Sequence, residues 1–357
     1  MIKPFRDNQN KKNTMKKNIL YSVISIFGLL LLANCTKTTI ESPDDFDVTT
    51  TKTTYKVGDT IKFLLSGLPD QVIFYSGEVG MRYENAERTQ GAGTAKLVFQ
   101  TSLQKGVLTN GDSLRLLVSA NLKGYDSISI VKATWSDITS RNTKWPVAIS
   151  TSFTTSDSIN LTDFNNDSIN IAFRYKGKKS ATVAQQLWRI QGFSLVNILP
   201  DGTKTGLFAP PQIAGGTATS AFANTGWVMA SLKNNTLPGF NAWNVGTANT
   251  SAAKAVKNPN GINIATAYPI TFDPGLTTGN DDNDDWLITS KVNLKQVKPD
   301  FGVPIKNAVA LSLTKFNAIP ATYYKTPGTY TATFVASNLD ITKAQKVVRK
   351  VTFTVTP

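Results

Sequence analysis

The sequence predicts an all-β protein built of sandwiches. Apolar residues recur with a period of two in segment after segment, and these segments are short and separated by Gly, Asn, Asp and Pro. No apolar pattern of helical period persists beyond one or two turns. The 357 residues, 41% of them hydrophobic, suffice for two domains with cores of their own.

In chain order, the first feature is the run from Lys16 to Cys35. Two lysines precede an apolar stretch from Ile19 to Ala33, followed by Asn34 and the single cysteine of the chain. The stretch is too short for a spanning helix and is followed by polar sequence, so it reads as an export signal. A lone cysteine forms no intramolecular disulfide. Placed after Leu32-Ala33-Asn34 it resembles the bacterial lipobox, whose cysteine becomes the lipidated first residue, although Asn34 departs from the small residue usual there. Residues 1–35 are therefore expected to be a lipoprotein signal with Cys35 as anchor, and the Thr-rich residues 36–43 a tether.

From Asp44 the alternation begins. Phe46 and Val48, a turn at Lys56-Val57-Gly58-Asp59, then Ile61, Phe63 and Leu65 describe two antiparallel strands, and Asp70–Ser76 a third. Three strands open a sandwich of immunoglobulin type but cannot bury a core alone. Further strands are expected at Leu97–Phe99, Leu114–Ser119, Ala133–Trp135, Asn170–Tyr175, Leu187–Ile190 and Phe193–Val196, with a turn at Lys176-Gly177-Lys178. Many strands joined by long polar loops suit a jelly-roll sandwich. Residues 201–285 carry little pattern beyond Trp227-Val228-Met229, Phe240–Trp243 and Trp286-Leu287-Ile288 just after them. Ala308–Leu313 reads as a strand, Pro327-Gly328 as a type II turn, and Thr329–Ala336 and Val347–Val355 as two closing strands.

Composition excludes several chemistries. There is no histidine, which removes the commonest general base and most transition-metal ligand sets. Glutamate ends at Glu87, after Glu41, Glu78 and Glu84, which restricts paired-carboxylate catalysis. No nucleophile elbow or phosphate loop is present. The formal charge of +14 is spread along the chain, with no basic arm interleaved with aromatics, so nucleic acid is not an expected partner.

Phe74-Tyr75-Ser76-Gly77-Glu78, Leu116-Leu117-Val118-Ser119 with Gly124, Ala133–Thr139 and Trp188-Arg189-Ile190 together resemble a family of uncharacterised Bacteroidota surface lipoproteins carrying a domain of unknown function. The resemblance implies a PKD-type immunoglobulin-like module and a galactose-binding-like jelly roll. The stretch Tyr324–Tyr330 with Phe334, Ser337 and Asn338 is similar to the closing strands of PKD-like modules. The expected organisation is residues 44–95 as the first part of the immunoglobulin/PKD-like domain, 96–299 as the jelly roll, and 300–357 as the closing strands of the immunoglobulin/PKD-like domain or a separate small sandwich. Insertion of the jelly roll into the first domain is physically tolerable at a surface loop. The resemblance further implies an outer-membrane lipoprotein facing the exterior, binding glycan or a surface protein, and working beside an outer-membrane uptake complex.

Two candidate sites emerge from the residues. Asp281, Asp282, Asn283, Asp284 and Asp285 concentrate hard oxygen ligands that suit a structural calcium ion, or else form a solvated acidic loop. Asp163, Asn165, Asn166 and Asp167 form a weaker set of the same kind. Trp145, Trp243 and Tyr125 lie in loop-like surroundings and are candidate platforms for sugar rings, whose C–H faces stack on aromatic side chains. Trp135, Trp188 and Trp286 sit in strand-like apolar runs and read as core. A non-catalytic carbohydrate-binding protein is the expected function, with structural or adhesive binding of another protein as the alternative.

Overall fold

The computed structural model describes residues 40–108, 113–164, 168–208, 226–233, 242–245, 270–274, 282–306, 324–340 and 343–357. The opening strands are β1 (Asp47–Thr50), β2 (Thr54–Lys56), β3 (Phe63–Ser66) and β4 (Gln71–Tyr75). Next come β5 (Thr94–Lys105), β6 (Ser113–Ser119), helix α1 (Ser127–Lys132), β7 (Ser136–Asp137), β8 (Thr154–Thr155), β9 (Ile159–Asn160) and β10 (Ser168–Gly177). They are followed by β11 (Leu187–Ile198), β12 (Lys204–Phe208), β13 (Trp227–Ser231), β14 (Ala242–Val245), β15 (Ile270–Asp273), β16 (Asn283–Thr289) and β17 (Val292–Asn293). The chain closes with β18 (Val303–Lys306), β19 (Gly328–Leu339) and β20 (Ala344–Thr356). The fold is all-β, as the period-two patterning predicts.

The chain forms two compact units, one of residues up to Phe74 with Val303–Pro357, the other Tyr75–Gly302. In the first unit the strand order is β18-β4-β19-β20-β2, and β1 pairs with β3 in a separate ribbon. β2 runs parallel to β20, with Thr54 opposite Thr354, while β19 and β20 form a long antiparallel hairpin from Gly328–Val355 to Leu339–Ala344. An aromatic cluster fills the interior. Phe334 lies 5.1 Å from Phe63 and 5.0 Å from Phe74, and Phe353 meets Tyr55 edge-on at 5.8 Å, geometries that aromatic pairs favour. Arg349 fastens the opening segment by donating to the carbonyls of Phe46 and Asp44.

The second unit is a sandwich of two sheets. One has the order β13-β16-β10-β6-β7 with β17 on β10; the other is β14-β15-β11-β5-β8 with β12 on β11 and β9 on β5. Alternation decides the faces. Ile169, Ile171, Phe173 and Tyr175 of β10 join the same buried cluster as Leu114, Leu116 and Val118 of β6, Leu97 and Phe99 of β5, and Trp188 and Ile190 of β11. A second cluster lies on the other face of the first sheet, where Leu117, Ala172, Trp286 and Ile288 pack with Ile130 of α1 and with Tyr125 and Trp135.

Three expectations differ from the structure. Ala133–Trp135 is no strand; it follows α1, which is started by Asp126 capping the Ser129 N–H at 2.9 Å, and whose buried Ile130 turns the segment onto the sheet. Lys176 and Gly177 remain in β10, opposite Asp284 and Asn283, instead of turning. Pro327-Gly328 is not a type II turn, which would place its glycine at positive φ; Gly328 opens β19, and the positive φ of 66° falls on Tyr324. The expected strand at Ala308–Leu313 and the whole signal segment with Cys35 lie outside the described residues. Among the described residues no helix is long and apolar enough to cross a membrane.

Candidate functional site

A cavity of about 470 Å³ opens on the outer face of the first sheet of the Tyr75–Gly302 unit. Its floor is a row of cross-strand partners, because Arg115 of β6 sits opposite Arg174 of β10, and Arg174 sits opposite Trp286 of β16. The next row contributes Ser113 and Lys176. Val131 of α1, Trp135 from the segment that follows it and Asp137 of β7 form the wall.

Two arginines facing each other across strands repel unless each is compensated. Here each has its own carboxylate. Asp284 receives Nε and Nη2 of Arg174 at 2.8 and 2.6 Å, a bidentate pair, and its Oδ1 also accepts the Trp286 indole N–H at 3.0 Å. Asp137 receives Nη1 of Arg115 at 2.6 Å. Burial pushes the Asp137 carboxyl up, but hydrogen bonds from Thr139 and the Arg115 guanidinium outweigh it and hold the group below its ordinary value. Trp135 rests against Trp286 with ring centroids 4.9 Å apart and donates its indole N–H to the Ile130 carbonyl at 3.0 Å. That leaves it half-buried at the cavity wall. The arrangement offers cationic donors, an exposed carboxylate acceptor and an aromatic surface, which are the means of recognising a polar ligand.

The residues singled out from sequence lie elsewhere. Trp243, expected in a loop, lies in β14, is only 1% exposed and packs on Phe272. Trp145 is half-buried against Phe99 and Trp188, with its N–H on the Thr139 carbonyl, so it seals the sandwich. Tyr125 is half-buried on the outer face of the first sheet, where it accepts from Asn170 and donates to the Thr289 carbonyl. The pleat turns Trp243 into the core between the two sheets, where its indole N–H reaches the Asp285 carbonyl of β16 in the facing sheet.

The acidic stretch is divided by the same alternation. Asp284 lies on the outer face with Trp286, while Asn283 and Asp285 lie on the inner face with Leu287. Asp282 accepts from the Lys179 N–H and pairs with Lys178 and Lys233. The residues described therefore do not converge on one point, and Asp281 lies outside them. Asp163 is held by Arg141 through both oxygens, at 2.9 and 2.6 Å, while Asn165, Asn166 and Asp167 lie outside the described residues. Among the described residues no group of three or more Asp, Glu, Cys or His is placed to hold a metal ion.

Sequence reasoning passed over the residues that line the cavity. Trp135 and Trp286 read as core, and only Trp286 is fully so, at 2% exposure. A signal was available: Arg115, Arg174 and Lys176 are the charged residues in the otherwise apolar expected strands Leu114–Ser119 and Asn170–Tyr175 and at their edge, all at positions that alternate away from the core.

The fold and the cavity define a class, a two-unit β-sandwich protein with a charged, aromatic-walled cavity on one outer sheet face. The chain belongs to the family described as a domain of unknown function (DUF5017), whose model matches residues 34–214. The match takes in Arg115, Trp135, Asp137, Arg174 and Lys176, whereas Asp284 and Trp286 lie beyond it. No curated protein matches the chain, and no solved structure does.

Proposed function

We propose that this protein is a non-catalytic, lipid-anchored carbohydrate-binding protein of the outer membrane, facing the exterior and accessory to polysaccharide capture and uptake. The anchor is Cys35, and the resemblance to Bacteroidota surface lipoproteins with PKD-like and galactose-binding-like modules supports the location. One observation carries the binding reading: the half-buried Trp135 walls an open cavity that also presents Arg115, Asp137 and Lys176. A pyranose stacks its C–H face on an indole while its hydroxyls exchange hydrogen bonds with such groups.

The test is binding of the full chain to a panel of polysaccharides by affinity electrophoresis, repeated with Trp135→Ala. Retardation by at least one polymer that is lost in the variant, with an unchanged circular dichroism spectrum, supports the reading. Retardation that persists in Trp135→Ala removes the platform. Adhesion to another protein is the second reading, favoured by Ile128 and Val131 of α1, which stand 65% and 71% exposed, Val131 at the cavity wall. Absence of retardation by every polymer favours it.

A further inference from the structure

The cavity is uneven in charge. Arg115, Arg174 and Lys176 line it against Asp137, and Asp284 binds Arg174 at its edge. Lys176 makes no ion pair among the described residues. Beyond it, along the same edge, Lys178 and Lys233 gather on Asp282. Cations thus outnumber carboxylates among the described residues of the cavity and this edge.

The two arginines differ in which side they have committed. Arg174 uses its Nε and Nη2 side, the side that meets a planar carboxylate with two parallel N–H bonds, on Asp284. Arg115 contacts Asp137 through Nη1 alone, and its Nε and Nη2 have no partner among the described residues. Its side chain is 54% exposed at the cavity. The open fork of Arg115 therefore repeats, toward solvent, the geometry that Arg174 already satisfies within the protein.

Resting on the glycan reading above, we infer that the ligand of this groove is an acidic polysaccharide, one whose hexuronate carboxylate docks on the open fork of Arg115 while a sugar ring lies against Trp135 and Lys176 compensates a neighbouring carboxylate. Asp137 and Asp282, interspersed among the cations, accept hydrogen bonds from sugar hydroxyls and disfavour a nucleic-acid backbone, which presents phosphates and few such donors.

The experiment compares polygalacturonate with the same polymer after reduction of its carboxyl groups, a neutral chain of equal length, using the full chain with EDTA present. The parent binds polygalacturonate about tenfold or more tightly than the reduced polymer, the loss expected for one charge-assisted hydrogen-bonded contact. Arg115→Gln weakens polygalacturonate binding by about the same factor and weakens the reduced polymer by less, since only the acidic polymer loses a charge-assisted contact. Lys176→Gln, at an exposed position with no ion pair to lose, weakens it roughly two- to threefold and serves as the variant that cannot fail through misfolding. Trp135→Ala weakens both polymers. Equal affinity for both polymers with Arg115→Gln and Lys176→Gln silent overturns the acidic ligand and leaves the glycan reading standing. Binding of neither polymer, nor of any other in the panel, overturns both. Displacement by single-stranded DNA at equal charge concentration also overturns the inference, because it shows attraction to any polyanion.

Discussion

The guanidinium of Arg174 lies over the indole of Trp286, 4.6 Å from the ring centroid, and both side chains are hydrogen-bonded to the one carboxylate of Asp284. The three residues belong to neighbouring strands, so the cluster spans the junction of β10 and β16. Cation–π attraction and a bidentate ion pair act on the same cation, which fixes its orientation.

Removing the cation alone strands a carboxylate that is 8% exposed. Arg174→Ala is expected to destabilise the Tyr75–Gly302 unit by about 3–5 kcal/mol, the cost of leaving a buried partner uncompensated. The double change Arg174→Met with Asp284→Leu recovers part of that loss, since no charge is then left unpaired although the Trp286 N–H loses its acceptor. Urea unfolding followed by tryptophan fluorescence measures both; equal losses in the two variants would contradict the assignment.

Gly67 directly follows β3 with φ +80°, and a Cβ built on it falls 2.8 Å from the Cα of Phe46. Neither backbone can yield cheaply. Gly67→Ala should cost about 1–3 kcal/mol through strain at that position and displacement of buried Phe46. A thermal unfolding curve with unchanged Tm would show that β1 and β3 tolerate the crowding.

Asp282 gives a pH-dependent contribution. The Lys179 N–H first, then Lys233 and Lys178, hold its carboxyl at about 2. A group depressed in the folded state stabilises above its unfolded value, about 3.9 for aspartate, and loses that contribution as pH falls through the folded value. The window therefore runs from about pH 4 down to about pH 2. Asp282→Asn is expected to cost less than about 1 kcal/mol at neutral pH, as exposed ion pairs do. The stability curves of variant and parent should meet near the acid end; a gap that stays constant from neutral pH to that end would contradict the assignment.

Cys35→Ser should abolish incorporation of labelled palmitate and move the protein from the membrane to the soluble fraction of expressing cells. Labelling that persists in the variant would remove the anchor.

Where a strand has one face in a core, the sequence was easy to read. Asn170–Tyr175 alternates so cleanly that its inward set, Ile171, Phe173 and Tyr175, follows directly from periodicity, while Leu114–Ser119 shows it less openly because Leu117 on the other face is apolar too. The groove was harder because its floor is made of the residues between them. Whether Arg174 meets water, a carboxylate or a ligand depends on β16, more than a hundred residues further along, and local pattern carries no such register. Trp135 was misread for a related reason: in Ala133-Thr134-Trp135 a short apolar run does not separate a strand from a segment that packs flat on another strand's outer face. The acidic run is open in sequence to a calcium site or a solvated loop, and what decides it is the pleat, which sends Asp284 and Asp285 in opposite directions.

Phe74 and Val303 are paired partners in adjacent strands. This has a consequence for how the chain acquires its structure as it emerges from the ribosome. β1 to β4 appear first, yet Phe63 and Phe74 complete their packing only against Phe334 and Phe353, which arrive last. Meanwhile residues 75–302 can settle around their own core. Once settled, they act as a staple: closing a long flexible loop would carry a large entropic cost, but a folded insert that begins and ends at neighbouring points has already met it. The early strands must therefore wait with their aromatics uncovered, and the unit that begins the chain is the last to be finished.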